Sequence, residues 1–360
     1  MERWEEPLGR MVGRLRATAL EVGDAYPHWA DPATGRWTTT ADGDWTGGYF
    51  AGMCWLGHAL TGEEAFRRWA GSHTAPLRDR LTGATVFKSF PFTYAALLGW
   101  LVGGDESARR LALDGAGSVA TMFEPRLGLV PLGAQAEEGS SVGTAETSID
   151  SLQAAVLLLW AAGEEPDVAV ERAGRSHAER VVSLHQRADG SFIQSTSLDP
   201  DTGEVLRHYT HKGYSDTSVW GRAQAWGMLF SLAVGARERA ERGADWWLAH
   251  VPADRVAFWD FDDPAIPHTE RDTAATAVAA AALCRLGGQY AEAGEATAVA
   301  LVDRHLAASG ALTDSCFNKR PDARSEDAAA ACEFIVGDYY LFETLLRLEG
   351  RLPPAVTALP

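Results

Sequence analysis

Lysine is nearly missing from this chain. Of its 32 basic residues only Lys88, Lys212 and Lys319 are lysine. Arginine carries the basic surface elsewhere, so a position that keeps lysine stands out for a compact charge with a movable pKa; chance placement is the plain alternative. Cysteine is scarce too. Cys54, Cys284, Cys316 and Cys332 are widely spaced and form no C-x-x-C pair. Three sit in apolar helical patterns, so free thiols in a reducing compartment are the simplest reading, with a Cys316–Cys332 disulfide as the other. The first residues, MERWEEPLGRMVGRLRA, have no uninterrupted apolar core and do not read as a signal peptide. Trp4, Leu8, Met11 and Leu15 instead recur at helical spacing. No run reads as long and apolar enough to span a membrane, so the expected location is cytoplasmic. Excess positive charge is also missing. A net charge of −17 argues against a nucleic-acid backbone or an anionic membrane as partner, but not against an anionic small molecule in a locally basic pocket.

The chain has ample material for a large core: 360 residues, 46% hydrophobic, 22% charged, with 13 tryptophans. Length alone suggests about two domains. No linker interrupts the sequence, so a single domain over 1–360 is expected. Its densest stretch is HKGYSDTSVWGRAQAW, residues 211–226, where His211, Lys212, Tyr214, Asp216, Trp220, Arg222, Gln224 and Trp226 precede an apolar tail. A fully buried helix would avoid so many polar groups, and a surface helix would not turn two tryptophans to water. The stretch reads as a pocket mouth.

Glycines mark joints and helical periodicity fills the space between them. The pattern predicts helices over about 2–23, 46–60, 63–81, 91–102, 105–122, 147–162, 167–186, 217–234, 237–250, 272–286, 290–308 and 333–348. A polar loop with Pro27, Pro32 and Gly35 follows the first, a glycine-rich loop with short possible strands runs from 124 to 145, and a turn-rich hairpin covers 189–210. His177 reads as a core-edge histidine. Even-numbered helices are apolar all round, so they must be buried; odd-numbered ones are mostly amphipathic. Six buried and six half-buried helices in alternation describe an all-α fold, an (α/α)6 barrel of six inner and six outer helices. A solenoid is the runner-up, weakened by the lack of a fixed repeat length. The segments leading into the inner helices carry the unusual chemistry: Asp44-Trp45, Lys88-Ser89-Phe90, Ile149-Asp150, the 211–226 block and His268-Glu270-Arg271-Asp272. In such a barrel these N-termini share one mouth, where the positive ends of their dipoles converge.

GDWTGGYFAGMCWLGHALTG (43–62), TSIDSLQAAVLLLW (147–160), HKGYSDTSVWGRAQAW, DTAATAVAAAAL (272–283) and GDYYLFETLLRL (337–348) resemble the unsaturated glucuronyl hydrolases, glycoside hydrolase family 88, and their rhamnogalacturonyl relatives, over nearly the whole chain. The resemblance implies an (α/α)6 barrel and a reaction needing neither metal nor cofactor. A carboxylic acid protonates carbon 4 of an unsaturated uronic acid, water adds to carbon 5, and the hemiketal opens and expels the aglycone. One tuned carboxyl can act as acid and then as base. By resemblance that residue is Asp150; from the residues alone, an N-terminal helix carboxylate favoured by the dipole accounts for it as well. Trp45, Trp220 and Trp226 match the family's sugar-contacting aromatics, and Arg222 and Gln224 its polar contacts. For each tryptophan, core packing is as good a reading as sugar stacking.

The departures concentrate at lysine. The family usually carries a His-Asp pair where this chain has Lys88 and Ser89, so its second aspartate is absent. A family histidine in the hairpin is Ile193 here, the glutamine after His211 is Lys212, and an aspartate pair is Asp216-Thr217. Lys88 and Lys212 are therefore candidate catalytic or anion-binding groups, with Ser89, His211, Tyr214 and Asp216 as further contacts. Alternatively Ser89 is only an N-cap before Pro91 and Lys88 snorkels outward. Three functions follow: hydration of an unsaturated uronide; the related dehydration, forming an enol ether on a sugar or nucleoside; or sugar binding without catalysis, which the joint presence of Asp150, His211 and Arg222 argues against. The expected partner is a small-molecule sugar, uronide or nucleoside, bound by a monomer or homodimer.

Overall fold

A computed structural model describes residues 3–136, 145–319 and 329–357. Its elements in chain order are α1 (Glu5–Val22), β1 (Tyr26–Ala30), β2 (Trp37–Thr40), α2 (Gly47–Thr61) and α3 (Glu64–Thr74). Ser89–Pro91, a π-helical turn over Phe92–Leu97 and Leu98–Gly103 then run on as one helix, α4. There follow α5 (Glu106–Ala120), β3 (Glu146–Ser148), α6 (Gln153–Glu164), α7 (Val168–His185), β4 (Ser195–Leu198), β5 (Val205–Tyr209), α8 (Gly221–Ala233) and α9 (Arg237–His250). The chain ends with α10 (Thr273–Leu286), α11 (Ala291–His305), β6 (Glu333–Phe334), α12 (Ile335–Leu348) and the single turn α13 (Pro354–Thr357).

The even-numbered helices α2 to α12 pack each on the next, and α12 returns to α2, closing an inner ring. Helices α3, α5, α7, α9 and α11 each back onto the inner helix before them, and α1 covers α12 and α2. This is the (α/α)6 barrel. All of α10 except Cys284 and Arg285 is buried, as is all of α8 except Leu232; an outer helix such as α5 buries one stripe, Ala108, Leu111, Ala112, Gly115, Ala116 and Val119. Close approach inside the ring needs missing side chains. A Cβ on Gly48 would stand 2.6 Å from Pro91 Cα, and one on Gly52 2.5 Å from the Tyr94 carbonyl oxygen, so α2 can lie against α4 only with glycine there.

Two small sheets frame one end of the ring, β2-β1-β6 and β3-β4-β5, both antiparallel. The second contains the expected hairpin. The first was not expected: the stretch with Pro27, Pro32 and Gly35, read as a polar loop, is the β1–β2 hairpin, and its pattern is hidden because Trp29 pairs across to Phe334 from the far end of the chain. Part of the glycine-rich loop, 137–144, lies outside the described residues. Several helices begin or end elsewhere than their periodicity suggested; the one expected from 333 starts at Ile335, after strand β6. The segment after α3 tightens into a 3-10 helix over Ala75–Thr82. Residues 147–152 are the end of β3 and a 3-10 turn, Ile149–Leu152. Residues 217–220 are not helical: a turn and a bend lead to an extended Trp220 before α8.

The expectation that no run could span a membrane also needs correction. Val86–Gly103 has the length and mean hydropathy, 1.2 over 18 residues, but 72% of it is buried inside the barrel; its apolarity belongs to an inner-ring helix.

The centre of the ring is closed by tyrosines. Tyr49 and Tyr94 stack with centroids 4.2 Å apart, and Tyr339 and Tyr340 meet Tyr49 at 5.3 and 5.9 Å. The Tyr94 and Tyr340 hydroxyls hydrogen-bond. All four rings are buried. Tyr94 and Tyr339 also border a small cavity with Arg285 and Val356 at the opposite end, where Arg285 makes a bidentate pair with the fully buried Glu343.

Candidate active site

At the N-terminal end of the inner helices lies a cavity of about 260 Å³, just below the usual range for small-molecule sites. Trp45 enters its wall ahead of α2, Phe87 and Phe90 at the start of α4, and Asp150 ahead of α6. Lys212, Trp220, Arg222 and Trp226 come from α8 and its approach, Gln194 from the hairpin and His28 from β1, with Phe317, Asp44, Thr85, Gln135 and Ala136 completing it. The aromatic rings hold one another: Trp45 meets Phe90 at 5.6 Å, Phe90 meets Trp226 at 6.1 Å, and Trp226 stacks on Phe230 at 5.0 Å. Beneath them Trp45 touches Tyr49 and Trp226 touches Tyr340, so the tyrosine cluster is the floor.

Asp150 sits on the 3-10 turn, not one turn into a helix as its sequence context suggested. The turn is pinned from three directions. The Ile149 N–H donates to the Gln194 carbonyl at 2.8 Å, and Ser151 Oγ donates to the Ser148 carbonyl at 2.6 Å. From behind, His177 receives the Val130 N–H on Nδ1 (3.1 Å), so its proton is on Nε2, which donates to the Ser151 carbonyl at 2.8 Å. His177 is thus fully buried rather than at the core edge, and burial pulls its pKa down to about 4. Asp150 Oδ2 has no hydrogen-bond partner. Burial raises the carboxyl's pKa against the opposing pull of Lys212 and Arg222. A buried carboxylate oxygen without a donor is costly, and protonation relieves that cost. Both observations favour the neutral acid, a group able to give up a proton.

Lys212 is 8% exposed, its Nζ lies 5.3 Å from the centre of the Phe317 ring, and its backbone N–H donates to Gln194 Oε1 at 2.7 Å. Arg222 is 2% exposed and heavily engaged by the protein. Nη1 donates to Asp272 Oδ2 at 2.6 Å and to the Cys316 carbonyl, and Nη2 donates to the Phe317 carbonyl. Its guanidinium lies 4.5 Å from the Trp220 ring centre. Asp272 also caps α10, accepting the Ala274 and Ala275 N–H groups. The Arg222–Asp272 pair therefore ties the starts of α8 and α10 together and sets the walls made by Trp220 and Phe317.

Several expected contacts lie elsewhere. Lys88 does not face the cavity: its ammonium donates to the Gly83 carbonyl at 2.9 Å, the Leu81 carbonyl at 3.3 Å and Ser118 Oγ at 2.6 Å, closing the end of the 3-10 helix against α5. Burial pushes its pKa down to about 8, but there is no path from it to a substrate, so it leaves the catalytic set. Ser89 is buried with its Oγ unpartnered and is not part of the wall. Tyr214 and Asp216 are exposed on a loop folded away from the cavity, where Asp260 Oδ2 accepts the Tyr214 N–H and Ser218 Oγ. His211 is half-buried beside that loop and outside the wall. Gln224 is a brace: Oε1 accepts the Phe192 N–H and Nε2 donates to the Gly243 carbonyl, joining hairpin, α8 and α9. Lys319 pairs with Asp263 (3.3 Å) and Glu270 over the Trp259 ring. The four cysteines are free thiols. Among the described residues no cluster of three His, Cys, Asp or Glu side chains is placed to hold a metal ion.

Gln194, Phe317 and His28 stand in no motif of the sequence, and the counter-ion Asp272 stands only at the end of the segment His268-Glu270-Arg271-Asp272. Asp44, beside Trp45, holds a positive φ of 41° in the wall, 3.7 Å from Arg80.

No family model matches the chain. It is 31% identical over 373 residues to a curated unsaturated glucuronyl hydrolase from Bacillus sp. (strain GL1), covering 96% of this chain and 97% of that one. It is 26% identical over 253 residues to an unsaturated chondroitin disaccharide hydrolase from Streptococcus pneumoniae, covering 66% and 62%. The crystal structure of the Bacillus sp. GL1 hydrolase superposes with a TM-score of 0.90 at 29% identity, over 97% of this chain and 98% of the other. That of an unsaturated glucuronyl hydrolase specific for heparin superposes with a TM-score of 0.87 at 25% identity, over 97% and 99%.

Proposed function

The chain belongs to the unsaturated glucuronyl hydrolases, and from that membership we propose that it hydrates the enol ether between carbons 4 and 5 of an unsaturated uronic acid and releases the group attached at carbon 1. The observation that carries this reading is Asp150, a carboxyl biased toward its protonated form by burial, with an unpartnered oxygen, in the wall of an aromatic cavity suited to about one sugar ring. Asp150 gives its proton to carbon 4. The carboxylate then takes a proton from the water that adds to carbon 5. The new hemiketal opens to a ketone at carbon 5, and carbon 1, left as a hemiacetal of the aglycone, expels it and becomes an aldehyde. Water is added across the double bond and the enzyme's proton is restored. Trp220 and Trp226 supply apolar faces for the ring. Lys212 places positive charge where the substrate carboxylate enters and holds back the rise in the Asp150 pKa.

The curated relatives are named as hydrolases, which does not favour the dehydratase alternative, on a nucleoside or otherwise. We also place the enzyme in the cytoplasm, a reading supported by its four free thiols. The test is decay of the enol-ether ultraviolet absorbance from an unsaturated uronyl disaccharide. Asp150→Asn should abolish that decay; a near-normal rate in this variant would remove Asp150 from the mechanism, and inert disaccharides would sink the reading as a whole.

A further inference from the structure

We propose that Gln194 is a substrate-binding residue of this site, its side-chain amide donating a hydrogen bond to an oxygen of the unsaturated uronate while its two oxygens hold the Asp150 turn and Lys212 in register. The inference rests on the functional reading above for the identity of the sugar. Its geometry stands on two contacts and on its place in the wall. The Gln194 carbonyl accepts the Ile149 N–H at 2.8 Å, one residue from Asp150. The side-chain Oε1 accepts the Lys212 N–H at 2.7 Å. A backbone N–H can only donate, so the atom facing it is the amide oxygen and the orientation of the amide is set. That orientation turns Nε2 away from Lys212. Gln194 is 1% exposed and lines the cavity, yet among the described residues its Nε2 donates to no protein acceptor and is not a sealed orphan. A donor held this way, in the same wall as Lys212 and Asp150, matches a carboxylate or hydroxyl oxygen of the sugar. One residue thus meets both partners, its backbone carbonyl holding the Asp150 turn and its side-chain oxygen the Lys212 backbone.

Gln194→Met and Gln194→Glu separate the roles. Methionine keeps the length and removes the amide. Glutamate keeps an acceptor for the Lys212 N–H, removes the donor, and adds negative charge beside Asp150. We expect KM for an unsaturated disaccharide to rise at least tenfold in both variants, with circular dichroism unchanged. In Gln194→Glu the alkaline fall in kcat/KM should also move upward by at least half a pH unit, because a like charge makes Asp150 harder to ionise. KM within twofold of the unaltered enzyme in both folded variants overturns the proposal. Asp150→Asn assayed alongside keeps the two failures apart: a normal rate there takes down the acid–base reading and leaves the KM comparison standing.

Discussion

Replacing Asp272 by asparagine isolates the charge that holds the mouth together. Asparagine caps a helix about as well as aspartate, so α10 keeps its start and the loss is confined to the pair with Arg222. That guanidinium is 2% exposed and its partner 0%. Removing one member of a buried pair leaves an uncompensated charge in the interior, at a cost of about 3–5 kcal/mol. For 360 residues the entropy of unfolding is about 0.75 kcal/mol per kelvin, which converts the loss to a fall in Tm of about 4–7 °C. Differential scanning calorimetry of Asp272→Asn reads it directly. The double variant Arg222→Met/Asp272→Asn should recover most of the loss, because no charge then remains buried, while staying impaired in turnover since the Cys316 and Phe317 carbonyls lose their anchor. A fall below about 1 °C in the single variant, or a double variant no more stable than the single one, would refute the claim that a charge pair closes this side of the site.

Lys88→Met should keep kcat/KM within about threefold while lowering Tm, since the ammonium serves backbone carbonyls and Ser118 and not the cavity; a hundredfold loss of turnover in a folded variant would return Lys88 to the catalytic set. Activity should fall as pH rises through the Asp150 pKa, because the protonated form starts the reaction, and the fall should lie above the ordinary aspartate value. Lys212→Gln should move it higher still, by removing a charge that favours ionisation, and should raise KM about tenfold for a carboxylated substrate; a downward move would contradict the site electrostatics. His177 is held neutral, its pKa lowered from 6.5 to about 4, so the folded state takes up fewer protons than the unfolded one. Its contribution is complete above pH 6.5 and is lost as pH falls toward 4, about 3 kcal/mol in all. Urea unfolding of His177→Gln should show a flatter stability profile over that window, and an unchanged slope would refute it.

The alternation of apolar and amphipathic helices was legible because the inner ring has no water-facing side: α8 and α10 are buried all round, and their sequences say so without any partner being known. Helix starts were harder. Residues 217–220 have helical composition, yet Trp220 is extended because it bridges to Asp260, forty residues on. A distant contact also bears on β1, which pairs on one side with the neighbouring β2 and on the other with Glu333 and Phe334. At the site, residues on a dense local motif were easy to single out and their side-chain directions were not. Lys88 and Gln224 look like wall residues in one dimension; a 3-10 turn aims the first backward and a brace to Phe192 and Gly243 uses up the second. Gln194 and Phe317 carry no pattern because the partners that place them, Ile149 and Lys212 for the first and Arg222 and Ala329 for the second, are distant in sequence.

The tyrosine floor has a consequence for traffic. With Tyr49, Tyr94, Tyr339 and Tyr340 sealing the axis, the barrel is a room with one door. The sugar cannot be threaded through, so a chain must present its end and stop there. Whatever is released leaves by the way the substrate came in, past the wall that carries Asp44 and Trp45, and the next substrate waits behind it.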